Sequence, residues 1–210
     1  MLIKISRIIR ILYFIFKFRI LRTVFTKGFL ETTGYLKSLE LNKPVDRDGK
    51  DIPWCTYSYT YFIEKKISKG LRLFEYGCGH STLFYSRLNL KCYGVEDNIN
   101  YAPKNNKNIK IYIKKNKNDY IEAISLSKIK FDIIIVDGKY RNECLYKAIE
   151  FLTEKGIVVL DNSDRVNLKK GIDFLISNKF KQLDFKGITP QNFYESQTSI
   201  FYKNKNCLGI

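Results

Sequence analysis

From residue 57 onward, short apolar runs alternate with stretches whose apolar positions recur every three or four residues. The short runs Arg72–Tyr76, Lys91–Glu96, Ile109–Lys114, Phe131–Asp137 and Gly156–Leu160 predict strands. Tyr57–Lys69, Ser81–Leu88, Asp119–Ser127, Asn142–Thr153 and Leu168–Asn178 predict helices. The unbroken Ile133–Val136 run predicts a strand covered on both faces. Phe180–Phe185 and Thr198–Lys203 predict a closing strand pair. Five β–α alternations followed by two strands predict an α/β fold: a doubly wound, seven-stranded sheet ending in an antiparallel hairpin.

Residues 1–41 read as a basic helical extension and residues 42–210 as the main domain, entered through the turn-rich segment 42–54. Lys4, Arg7, Arg10, Lys17, Arg19, Arg22 and Lys27 occur with no acid among them. On a helix, Leu2, Ile5, Ile9, Leu12, Phe16 and Ile20 share the side opposite most of these charges. The uncharged run Ile11–Phe16 is too short to span a bilayer, and no small-residue cleavage site follows it. Two readings remain open: residues 1–27 lie on an anionic membrane, at the inner face of a cytoplasmic protein, or they pack on the domain or on a second subunit.

The chain has 210 residues, 45% hydrophobic, with a net charge of +16. That suits a single globular core and an anionic partner, or a solvated basic surface. Five scattered cysteines and one histidine, without a CxxC pair, argue against a zinc site and for reduced thiols in a cytoplasmic protein.

The richest segment is Leu73-Phe74-Glu75-Tyr76-Gly77-Cys78-Gly79-His80-Ser81-Thr82. An apolar strand reaches an acid, two glycines one apart, then hydroxyl residues able to open a helix. Such a turn binds a nucleotide-like molecule at the carboxyl edge of a parallel sheet. The third glycine of a dinucleotide fingerprint is replaced by Thr82. Glu96 ends the next strand, where it can accept from both hydroxyls of a ribose. Asp137 ends the fourth strand and Asp161-Asn162 the fifth, on one rim of the sheet. Their hard oxygens suit Mg²⁺ or another divalent cation; a plain turn and a capping loop are the alternative.

At these residues the chain resembles class I S-adenosylmethionine-dependent methyltransferases, over about residues 53–203. The acid-x-Gly-x-Gly turn is Glu75-Tyr76-Gly77-Cys78-Gly79, and the acid after the second strand is Glu96. It is most similar to a bacterial group with segments like Ile52-Pro53-Trp54, Phe74-Glu75-Tyr76-Gly77, Val136-Asp137-Gly138 and Leu160-Asp161-Asn162-Ser163-Asp164-Arg165. The resemblance implies a Rossmann-like methyltransferase fold and S-adenosylmethionine held by Glu75, Tyr76, Gly77, Cys78, Gly79, Ser81, Glu96, Asp97 and Asp137. By similarity to catechol-type and sugar O-methyltransferases it also implies a cation on Asp137, Asp161 and Asn162. The catalytic lysine of the catechol-type enzymes is replaced by Tyr140, leaving Asp137, Lys139 and Arg141 as catalytic candidates, the two basic residues as a base or as a clamp on an anionic acceptor.

His80 stands where that group has asparagine, and reads as a cap beside the cofactor or as a base. Asp119 reads as a helix cap or an adenine contact. Trp54, Tyr57, Tyr59 and Tyr61 read as a lid or as core. The expected reaction is O-methylation of a sugar or other small hydroxylated acceptor, as in surface polysaccharide modification. A nucleic-acid methyltransferase and a non-catalytic membrane-associated scaffold are the alternatives. Against nucleic acid, Asp137-Gly138-Lys139-Tyr140 is no amino-methylation motif, and 210 residues leave little room for a target-recognition region.

Overall fold

The computed structural model describes residues 8–13 and 28–210. Seven strands form one sheet: β1 (Arg72–Tyr76), β2 (Lys91–Glu96), β3 (Ile109–Ile113), β4 (Phe131–Val136), β5 (Leu152–Asp161), β6 (Lys181–Thr189) and β7 (Asn192–Tyr202). Their order is β3-β2-β1-β4-β5-β7-β6. Strands β1–β5 pair in parallel, while β7 runs antiparallel to both β5 and β6. The expected seven-stranded α/β sheet with its terminal hairpin is thus the observed one. The strand order reverses between β1 and β4, which opens a crevice at their carboxyl ends.

Side-chain alternation divides the core in two. Leu73, Ile133, Ile135, Ile157 and Val159 pack with Tyr59, Ile63, Phe84 and Tyr85 on one face. Phe74, Phe131, Ile134, Val136, Val158 and Leu160 pack with Tyr120, Cys144, Leu145 and Leu175 on the other. Burial on both faces explains why the central strands carry no polar alternation. The first face is covered by α3 (Tyr57–Lys66) and α4 (His80–Arg87), the second by α5 (Lys117–Glu122), α6 (Arg141–Ala148) and α7 (Lys169–Ser177).

Two elements differ from the sequence reading. The helix expected to run to Thr153 leaves α geometry after Ala148, and Leu152 is already paired with Phe131 in the sheet. Thr153 Oγ1 donates to Asp132 on β4 at 3.0 Å, which fixes that early strand start. The hairpin is also longer than expected because Ser196, Gln197, Thr198 and Ser199 are buried within β7. Gln197 and Ser199 bond each other and Ser163, Thr198 donates to Asp161, and Ser196 accepts from Asn162, so a polar run lies in the sheet without orphaned groups.

Residues 28–41 contribute two short helices, α1 (Phe29–Thr32) and α2 (Tyr35–Leu41). Ser38 Oγ donates to the Val45 carbonyl at 2.9 Å, and Gln191 Nε2 donates to the Ser38 carbonyl at 3.0 Å. The expected basic helix over residues 1–27 lies outside the described residues except for 8–13, which are helical and exposed. Among the described residues, no helix is long and apolar enough to cross a membrane.

Candidate active site

The turn after β1 is built by backbone against backbone. Gly77 has φ +92°, and a Cβ there would lie 2.6 Å from both N and Cα of Gly138 in the turn after β4. Only glycine permits both the left-handed φ and that approach. Gly79 has extended backbone, and a Cβ added to it meets nothing within 4 Å. It opens onto a cleft of about 700 Å³ lined by Gly77, Ser81, Glu96, Asp97, Asp137 and Lys139, among others.

Glu96 holds this cleft together. Its Oε2 accepts from Cys78 N at 3.1 Å, and its Oε1 accepts from Asp97 N and Asn98 N, both at 3.0 Å. Burial raises its carboxyl pKa, and the Asn98 N–H pulls it back. Cys78 presents its backbone to the cleft, while its thiol faces the Glu75 and Val95 carbonyls below. Lys139 Nζ bonds Asp97 across the mouth of the cleft and lowers the Asp97 pKa.

Glu75 lies deeper than its motif suggests. It is fully buried, and Thr82 Oγ1 donates to its Oε2. Its Oε1 has no hydrogen-bond partner. Burial raises its pKa to about 7, against the lowering effect of Ser81 and Thr82. Glu75 does not line the cleft; it anchors the first turn of α4 through Thr82 from below. The fit of the cleft for S-adenosylmethionine rests on the open space at Gly79 and on the Glu96 carboxylate in its wall.

Tyr76 is brought elsewhere. Its ring packs on the opposite face of the sheet, and its hydroxyl donates to the Ile121 carbonyl at 2.9 Å. Asp119 is exposed in the first turn of α5, whose cap is Asn116, so the cap reading falls to its neighbour. Tyr57 and Tyr59 are core residues, whereas Tyr61 is exposed and lines a different groove. Trp54 does reach the cleft: it is 45% exposed, and its Nε1 donates to the Pro190 carbonyl at 2.7 Å. His80 Nδ1 lies 2.6 Å from Asp51 Oδ1, a partner contributed by the segment before the sheet.

The three residues expected to hold a cation are drawn together, but around a guanidinium. Arg141 Nη2 bonds Asp137 Oδ1 at 2.9 Å and the Asp137 carbonyl at 2.6 Å. Its Nη1 bonds the Asp161 carbonyl and, at 3.3 Å, Asn162 Oδ1. Its Nε donates to the Gly138 carbonyl at 2.9 Å. Asp161 Oδ1 accepts from Thr198 Oγ1 at 2.6 Å. What remains between Asp137 and Asp161 is a buried site that includes the thiol of Cys55, a residue the sequence did not single out. Burial and the two carboxylates push the Cys55 thiol well up, so it stays protonated. The guanidinium occupies the Asp137 carboxylate and Asn162 Oδ1 but only the main-chain carbonyl of Asp161, so of the three expected ligands the Asp161 carboxylate alone is left without a cation beside it. Arg141 is a brace between two turns, with its donors engaged on protein oxygens rather than offered to an acceptor.

Burial and the nearby Asp161 charge raise the Asp137 pKa well above the usual carboxyl range, and burial also raises Asp161. The two carboxyl groups therefore titrate as a pair. Asp137 also lines a second pocket of about 230 Å³, with Asp161, Asn162, Arg165, Tyr194 and Ser196. Trp54 and Asp137 belong to both the cleft and this pocket. The hairpin residues of the second pocket carry no motif, and only the fold brings them to the rim.

No protein-family model and no curated protein matches the chain. Among solved structures, it is similar to precorrin-6Y C5,15-methyltransferase from Geobacter metallireducens, with a TM-score of 0.52 and 14% identity, covering 70% of this chain and 87% of that one. A methyltransferase from Pyrococcus furiosus gives 0.51 and 20%, covering 80% and 95%. Spermidine synthase from Thermotoga maritima gives 0.51 and 14%, covering 70% and 58%. At such identities the likeness concerns architecture alone: the chain has the seven-stranded fold of the class I methyltransferases.

Proposed function

We propose that the protein is an S-adenosylmethionine-dependent methyltransferase acting on a hydroxyl of a small acceptor, such as a sugar. One observation carries the reading: the cleft over the glycine turn is walled by Glu96, Asp97 and Asp137, and it meets a smaller polar pocket at Asp137. Asp97 is paired with Lys139 and Asp137 with Arg141, so Glu96 is the wall carboxylate without an ion-pair partner among the described residues, and it favours a sulfonium and an ammonium over a pyrophosphate. Glu96 accepts ribose hydroxyls through the lone pairs its three N–H donors leave, and Gly79 gives the ligand close backbone approach.

When bound, S-adenosylmethionine supplies an electrophilic methyl group, and its sulfur takes the C–S bonding pair. The protein's part is placement and proton handling. The second pocket is smaller than the ~300–1,000 Å³ usual for drug-sized ligands, so it suits a single ring-sized group. Trp54 and Tyr194 give it aromatic walls and Asn162 and Ser196 polar ones, as a hydroxylated ring requires. The Asp137–Asp161 pair stands at the junction to take the hydroxyl proton as the new C–O bond forms. No step requires a metal ion.

Calorimetry of the full chain with S-adenosylmethionine and with NAD tests the reading, followed by detection of S-adenosylhomocysteine across a panel of sugars. Micromolar binding of the sulfonium compound, with no competition from NAD, is expected. NAD bound in the cleft with S-adenosylmethionine excluded overturns the proposal.

A further inference from the structure

Arg165 lines the acceptor pocket together with Asp137 and Trp54, and it also lines a neighbouring pocket of about 270 Å³ beside Tyr140 and Asn142. Its backbone is pinned. Arg165 N donates to the Asn162 carbonyl at 3.0 Å, Ser163 N donates to the Gln197 carbonyl at 2.9 Å, and Gln197 N donates to Asp164 Oδ1 at 3.2 Å. Asn162, at φ +49°, sets the turn. The side chain, by contrast, is exposed and has no ion-pair or hydrogen-bond partner among the described residues.

The contrast with Arg141 is informative. Arg141 is 13% exposed at its side chain and balances the acidic floor of the pocket. Arg165 adds a second guanidinium at the rim with nothing to balance it. A planar fork fixed at its base and free at its tip matches carboxylate or phosphate oxygens in a bidentate arrangement. Arg165 lines the same pocket as Asp137 and Asp161, so an acceptor whose anionic group pairs with Arg165 can present a hydroxyl to the acidic floor.

We propose that the acceptor is a hydroxylated molecule carrying an anionic group, carboxylate or phosphate, and that Arg165 selects it. The proposal rests on the methyltransferase reading for the identity of the pocket, and it names the substrate class that this pocket takes.

The test titrates the full-length protein with glucose, glucuronate, glucose 6-phosphate and inorganic phosphate, in wild type, Arg165→Gln and Arg165→Lys. One charge-assisted contact amounts to about 10- to 100-fold in affinity. The charged sugars are expected to bind wild type at least tenfold more tightly than glucose, to lose that margin in Arg165→Gln, and to regain part of it in Arg165→Lys. Preference for glucuronate identifies a carboxylate acceptor, and preference for the sugar phosphate a phosphate one. Equal or absent binding of charged and neutral sugars, an unchanged margin in Arg165→Gln, or inorganic phosphate binding as tightly as the sugar phosphate overturns the proposal. S-adenosylmethionine titrated into the same proteins reads the other question separately: its failure to bind wild type removes the methyltransferase reading whatever the sugars show.

Discussion

Arg141 and Asp137, at opposite ends of the loop between β4 and α6, form an ion pair at 2.9 Å, and the same guanidinium reaches the Asp161 carbonyl and Asn162 Oδ1. The turns after β4 and β5 are therefore joined by a fixed cation that the protein carries itself. This gives the site its acidic floor without a large uncompensated negative charge.

Excess chelator is accordingly expected to leave methyl transfer unchanged, and Mn²⁺ titrated into the full chain to show no micromolar site by electron paramagnetic resonance. A micromolar Mn²⁺ signal that disappears in Asp161→Asn would return a metal to the mechanism. Arg141→Ala removes the side-chain donor to the Asp137, Gly138 and Asp161 carbonyls and leaves the Asp137 carboxyl without its ion pair, and its expected cost is about 3 kcal/mol of unfolding free energy in a denaturant titration.

Two glycines separate folding from binding. Gly77→Ala places a Cβ in a left-handed backbone and 2.6 Å from Gly138, so marked destabilisation is expected, by about 2–4 kcal/mol. Gly79→Ala meets no protein atom within 4 Å, so its melting temperature should stay near wild type while S-adenosylmethionine binding weakens at least tenfold. Equal melting temperatures for the two variants would contradict this division.

Stability should depend on pH through Glu75. Its pKa rises from 4.5 to about 7 on folding, so between those values the native state binds more protons than the unfolded chain. This contribution is complete below pH 4.5 and disappears as pH rises through about 7, with a ceiling of about 3 kcal/mol. Denaturant titrations from pH 4.5 to 7.5 should show that decline in wild type and a flatter profile in Glu75→Gln. Identical slopes would mean that Glu75 does not titrate in this range.

Glu96→Ala removes the acceptor for three backbone N–H groups at once. Loss of both fold stability, by about 1–3 kcal/mol, and of S-adenosylmethionine affinity is expected, the first by calorimetric melting and the second by titration. Asp97→Asn breaks only the surface pair with Lys139 and should change stability by less than about 1 kcal/mol.

The sequence by itself determined the sheet and the glycine turn after β1. Period-2 and period-3.6 patterns are local, and both-face burial leaves an apolar run that reads directly as a central strand. The position of Glu75 and Glu96 at strand ends, and of Gly77 and Gly79 in the turn between β1 and α4, was legible for the same reason: residue type and backbone geometry are coupled over a few positions. The tertiary structure alone decided what meets what across the rim. Residue type marked Arg141 as basic, but only the approach of the turns after β4 and β5 made it their brace. Tyr76 sits inside the motif, yet strand alternation sends its side chain to the far face. Cys55, Asp51 and the hairpin residues around Tyr194 reach the site through sheet topology, across more than a hundred residues for the hairpin, and no local pattern encodes such a distance.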